Sequence, residues 1–199
     1  MTYTAQRFAS FEEYLKVEPW DLPEGRCEYW DGELVEVMPE SLFNDELANS
    51  LYFLLRLAGI YHQLLRPHSC EVEVMGRPKT RFPDLTILDD VHLTLMGKNN
   101  RVTRRMPPPR VLIEVVSPGN EKSENYIRDY RDKPSQYAAI GVPEIWLIDP
   151  IRAWVQVGTL INDVYEFETF QGEESIVSPT FPDLNLMVDV LLQAGTPSA

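Results

Sequence analysis

Apolar residues recur every three or four positions from Asp45 to Ala58, at Leu47, Leu51, Leu54, Leu55 and Ala58. That period is one face of an α-helix and predicts an amphipathic helix laid on a sheet, with Asp45 near its cap. At Val111–Val116 the pattern becomes a nearly continuous, β-branched apolar run, which predicts a central strand buried on both faces. A helical pattern from Glu121 to Ala139 follows, stopped by Gly141-Val142-Pro143, and Glu144 to Asp149 reads as another buried strand. Strand, helix and strand in succession form a right-handed crossover unit, so the two strands are expected to be parallel neighbours.

The flanking segments extend this sheet. Ser10 ahead of Phe11-Glu12-Glu13-Tyr14-Leu15 supplies a capping hydroxyl and acidic residues for a short helix ending before Pro19. Cys27-Glu28-Tyr29-Trp30 and Glu33–Met38 flank Asp31-Gly32, a hairpin signal, and this hairpin is expected at one edge of the sheet. Leu64 through Val74 reads as one strand with alternating charge, and Asp84 opens the next. From Asp89-Asp90 to Pro109 the chain is polar and broken by prolines, and no helix is expected. Ala153–Val157 and Val164–Phe170 predict a second hairpin, and Phe181–Leu192 a final apolar segment. The expectation is one α/β domain over residues 1–199, with a central mixed sheet flanked by helices and extra β-hairpins; residues 1–9 and 195–199 are expected to be loose.

Composition narrows the function classes. No run approaches the roughly 20 apolar residues that cross a bilayer, and no apolar signal core follows the first residues, so a cytoplasmic protein is expected. Cys27 and Cys70 lie far apart, which argues against a disulfide framework or a cysteine zinc site. His62, His68 and Cys70 lack a fourth zinc ligand and read as ordinary partly buried residues. The formal net charge of −13 repels polyanions over the whole surface, although salt limits that field to about 8 Å and leaves room for a local basic cleft. No phosphate-binding loop, serine elbow or dinucleotide fingerprint is present.

The chemistry gathers between Thr80 and Pro150. Glu114 interrupts the buried strand, and a carboxylate there costs several kcal/mol unless a cation or donors satisfy it. Strand alternation puts Leu112, Glu114 and Val116 on one face. Asp84 sits where the Arg81-Phe82-Pro83 turn enters a neighbouring strand and can aim a second carboxylate at the same point. On the following helix Tyr126, Tyr130, Lys133 and Tyr137 share one stripe, so Lys133 is expected to face the sheet, with Pro134 kinking or restarting the helix. Two readings fit: a magnesium or manganese site with an ammonium beside it, or a buried structural ion pair of Lys133 with Glu114.

These residues resemble the Uma family of putative restriction endonucleases, which have a PD-(D/E)XK nuclease-like core. The likeness runs from Phe11-Glu12-Glu13-Tyr14 through Glu28–Glu36, Arg81-Phe82-Pro83-Asp84 and Ile113–Pro118 to Lys133 and Tyr137–Pro150. The resemblance implies Asp84 and Glu114 as metal-binding acids, the Val115 carbonyl as a further ligand to Mg2+ or Mn2+, and Lys133 as the catalytic lysine. In the standard motif that lysine stands two residues after the glutamate, where this chain has Val116. Glu28 matches a glutamate of the family's hairpin and is given a possible supporting role. Where the family often carries a histidine at the start of the second helix, this chain has Asn44. The implied activity is metal-dependent hydrolysis of DNA phosphodiester bonds by a homodimer; the alternative is a non-catalytic nuclease-fold module.

Overall fold

The computed structural model describes residues 3–37 and 41–195. The last predicted hairpin residue, Met38, and the extreme termini lie outside them. The central sheet is built on Val111–Val115 (β9), which pairs in parallel with Glu144–Asp149 (β10). Beyond β10 come Trp154–Ile161 (β11) and Val164–Gln171 (β12), both antiparallel, and on the other side Leu85–Ile87 (β7) and Leu65–Pro67 (β4). The order is β12-β11-β10-β9-β7-β4, a mixed sheet with its parallel pair in the middle.

Alternation along β9 divides the core. Val111, Ile113 and Val115 face a cluster with Leu47, Leu51 and Leu55 of the helix Leu42–Leu57 (α2) and with Val188 and Leu191 of Val188–Ala194 (α6). Leu112 faces the opposite cluster with Tyr137 and Ala138 of the helix Lys133–Ala139 (α5). A residue such as Leu51, fully buried here, contributes about 1.5–3 kcal/mol by leaving water. Glu114 therefore points at α5, on the face Leu112 defines.

Four expectations are corrected. The hairpin of Cys27–Trp30 (β2) and Glu33–Glu36 (β3) is no edge of the central sheet: with Tyr3–Arg7 (β1), which was expected to be loose, it forms a separate sheet of order β1-β3-β2. Its aromatic core of Phe8, Tyr14 and Tyr29 explains the independence, since that cluster buries its own apolar face. The segment from Leu64 to Val74 breaks into β4 and Glu71–Glu73 (β5), which belong to different sheets; His68, at φ 50°, turns the chain between them. The strand β5 joins Thr80–Arg81 (β6) and Arg101–Val102 (β8). Within the supposedly helix-free stretch, Asp90–Leu95 (α3) is helical, because Asp89 caps it and His92 closes a capping box. The prolines that suggested otherwise all lie after it.

The Asp31-Gly32 turn has φ of 46° and 94°, the left-handed pair that a tight hairpin requires. A Cβ on Gly32 would lie 2.8 Å from the backbone oxygen of Phe8. Gly32→Ala is accordingly expected to lower stability by about 1–3 kcal/mol, read from the urea midpoint; an unchanged midpoint contradicts this placement of β1.

Candidate functional site

The strand ends bring the acids together. Leu85 pairs with Ile113 in antiparallel register, so the preceding Asp84 falls across from Glu114. Here β7 has ended and cannot satisfy the next amide of β9. The side chain of Asp84 takes over: its Oδ2 accepts the Val115 N–H at 2.7 Å, while Oδ1 accepts no hydrogen bond from a described residue. Both carboxylates are almost wholly enclosed, Asp84 at 3% and Glu114 at 1% exposure.

Lys133 reaches Glu114 from the helix packed on that face of the sheet. The predicted helix from Glu121 to Ala139 is in fact a short α-helix, Glu124–Ile127 (α4), a π-helical stretch over Arg128–Asp132, and α5. Pro134 lacks the N–H that a continuous α-helix would need, and the widened turn ahead of it absorbs the gap. The restart directs Lys133 inward: Nζ donates to Glu114 Oε2 at 2.7 Å and lies 3.2 Å from Asp129 Oδ1. Tyr137, one helical turn on, donates its hydroxyl to Glu114 Oε1 at 2.5 Å. Asp129 also accepts the Ser117 N–H and the Arg128 guanidinium, tying the loop after β9 to the helix.

Burial pushes the Glu114 carboxyl up to about 7, with Asp84 adding to the rise while Lys133 and the hydrogen bonds of Lys133 and Tyr137 oppose it. Burial lowers Lys133, but Glu114, Asp129 and Asp84 outweigh that and hold the ammonium above its ordinary range. Asp129 resists the burial that would raise it and sits below the usual carboxylate range, because Lys133, Arg128 and the Ser117 amide favour its charged form. Around neutrality Lys133 thus stays charged, while Glu114 is poised between its two forms.

Other residues singled out by sequence fall elsewhere. Glu28, given a possible supporting role, pairs with the buried Arg81 at 3.2 Å. Arg81 in turn binds Gln136, whose amide holds the carbonyls of Met75 and Pro78. This network fastens the hairpin sheet to α5. An imidazole does border Asp84, and it comes from His68, at the end of β4: Nδ1 is 3.6 Å from Asp84 Oδ1, and the His68 amide donates to the Asp84 carbonyl at 2.9 Å. Sequence reading takes His68 for an ordinary partly buried residue and passes over Asp129. The spacing of Asp129 to Lys133, one helical turn, was the signal for the second; nothing in the sequence gives the register that brings His68 to Asp84.

The donor set fits a hard divalent cation. Asp84 Oδ1 accepts no hydrogen bond from a described residue, and each Glu114 oxygen has a second lone pair beyond the one its hydrogen bond uses. Among the described residues no group of three or more His, Cys, Asp or Glu is spaced to hold a metal. A cation held by one or two carboxylates and completed by water and substrate oxygens is the common magnesium arrangement.

The mixed sheet flanked by helices is a nuclease-like α/β fold, and it carries Asp84 and Glu114 on neighbouring strands with Lys133 bonded to Glu114 from a helix. The chain belongs to the Uma2 family of putative restriction endonucleases, whose family model matches residues 11–189. In fold it is similar to the crystal structure of a putative nuclease belonging to DUF820 from Anabaena variabilis, at a TM-score of 0.64 and 18% identity, over 93% of this chain and 98% of that one. No curated protein matches the chain significantly. No helix among the described residues is long and apolar enough to cross a membrane.

Proposed function

We propose that this protein is a cytoplasmic, homodimeric, metal-dependent endonuclease of the PD-(D/E)XK type that hydrolyses DNA phosphodiester bonds. The observation that carries the proposal is the approach of Lys133 to Glu114 from a separate helix, with Asp84 opposite on the neighbouring strand. Asp84, Glu114 and the Val115 carbonyl would hold Mg2+ or Mn2+. When bound, such a cation polarises a phosphate and lowers the pKa of a coordinated water.

The protein's own groups do the rest. Lys133, kept charged by three carboxylates, presents an ammonium where negative charge grows on the phosphate and orients the attacking water. Tyr137 and Lys133 fix the Glu114 carboxylate in one rotamer, and the Val115 amide does the same for Asp84. Asp129 stops Lys133 from collapsing wholly onto Glu114 by sharing its charge.

Nicking of supercoiled plasmid in Mn2+ and its absence in EDTA tests the proposal; wild-type protein that leaves plasmid intact in both contradicts it. A pH effect follows from Glu114. The cation competes with a proton, so affinity is expected to fall below pH 7, approaching tenfold per unit, and to level off above it. Calorimetric Mn2+ titrations at pH 6 and 8 check this, and equal affinities contradict it.

A second reading has one observation in its favour. Both Glu114 oxygens are already taken by protein donors and the residue is nearly sealed, as a non-catalytic nuclease-fold module would have it. Folded protein that binds no Mn2+ would favour this reading.

A further inference from the structure

The ring of His68 lies in a gap between two carboxylates from different elements. Nε2 is 3.2 Å from Asp45 Oδ1, in the first turn of α2, and Nδ1 is 3.6 Å from Asp84 Oδ1. Both ring nitrogens are shut off from solvent, yet neither meets hydrogen-bond geometry with any described partner. Buried polar atoms without partners are rare in folded proteins, and each one asks for an account. His68 also has a left-handed backbone, φ 50°, which a histidine adopts seldom, and its amide clamps the carbonyl of Asp84 itself. Backbone and side chain of this one residue therefore both bear on Asp84.

We propose that His68 is a positioning residue for Asp84, and that Asp45 anchors it in turn. The inference rests on Asp84 being a cation ligand. Asp84 Oδ2 is already fixed by the Val115 amide, so the rotation that remains open to the carboxylate is set by what borders Oδ1. The imidazole lies on that side, with Nδ1 3.6 Å from Oδ1, and limits how far the carboxylate can turn. A small movement of the ring would bring Nδ1 from 3.6 Å into hydrogen-bonding range of Oδ1, and Asp45, half exposed at the helix start, borders the ring from the other side. Partners of this kind, bonded to ligating carboxylates, typically change metal affinity by about 10–100-fold.

Calorimetric titration of Mn2+ into the full chain is the test, with urea unfolding of the same samples in EDTA. His68→Ala is expected to bind Mn2+ about 10–100-fold more weakly than wild type at an unchanged urea midpoint, and His68→Gln, which keeps a donor, to recover much of the loss. Asp45→Asn, at a half-exposed position that the fold tolerates, is expected to weaken binding in the same direction by a smaller factor, with no further loss when combined with His68→Ala. Wild-type affinity in both His68→Ala and Asp45→Asn overturns the inference and leaves the metal site standing. If His68→Ala does not fold, Asp45→Asn decides alone: wild-type affinity overturns the inference and weakened binding supports it. Wild-type protein that binds no Mn2+ overturns the metal site itself, and the role of His68 with it.

Discussion

Lys133→Met is expected to abolish plasmid nicking, with a loss of at least about 10²–10³-fold if any activity remains, and to cost more stability than any surface change. Among the described residues Lys133 is the one cation paired with Glu114, and it also balances Asp129. Its side chain is only 12% exposed, so water cannot replace it. Removing one partner of a buried pair strands the other, at about 3–5 kcal/mol. The pH dependence has a definite sign. Glu114 is poised at about 7 with Lys133 present, and without the ammonium its carboxyl takes up a proton still more readily. The penalty is therefore smaller at pH 6, where Glu114 becomes neutral, than at pH 8, where it is asked to remain charged. Urea unfolding of Lys133→Met at both pH values measures this. A variant as stable as wild type at pH 8, or one that still nicks plasmid, contradicts the placement of Lys133.

Asp84→Asn should separate chemistry from structure. An asparagine oxygen can still accept the Val115 amide hydrogen, so the joint between β7 and β9 survives and stability is expected to change by no more than about 1 kcal/mol. The charge is gone, and with it one of two acidic ligands. Nicking in Mn2+ is expected to fall by about 10³-fold or more, beyond the effect of losing one neutral donor. Residual activity within tenfold of wild type would mean that the cation, if one binds, lies elsewhere.

Much of this was legible in the sequence because the deciding signals were local. The apolar run of β9 with one glutamate in it, the helix stripe of α2 and the crossover to β10 each depend on residues within one or two elements. The kink near Pro134 was legible for the same reason, since a missing N–H is a local fact. What was not legible depended on register between distant segments. Leu64–Val74 looks continuous, but His68 turns the chain between two sheets, and only the pairing of β4 with β7 brings that turn beside Asp84. The hairpin's separate sheet was hidden likewise, because alternation tells which residues face inward and not which core receives them. The short helix α3 was masked by prolines that come after it, and its Asp89 and His92 cap was the overlooked signal. Alternation, turn and stripe together lead to the contact of Lys133 with Glu114 and to Asp84 across from Glu114 on the neighbouring strand.

The most direct measurement is a calorimetric titration of Mn2+ into folded wild-type protein and into Asp84→Asn at pH 8, above the value of about 7 to which burial pushes Glu114. One site per chain in the wild type, absent in the variant while both unfold at the same urea concentration, is the predicted result. No heat of binding in the wild type, or the same site in both proteins, contradicts a cation held between Asp84 and Glu114.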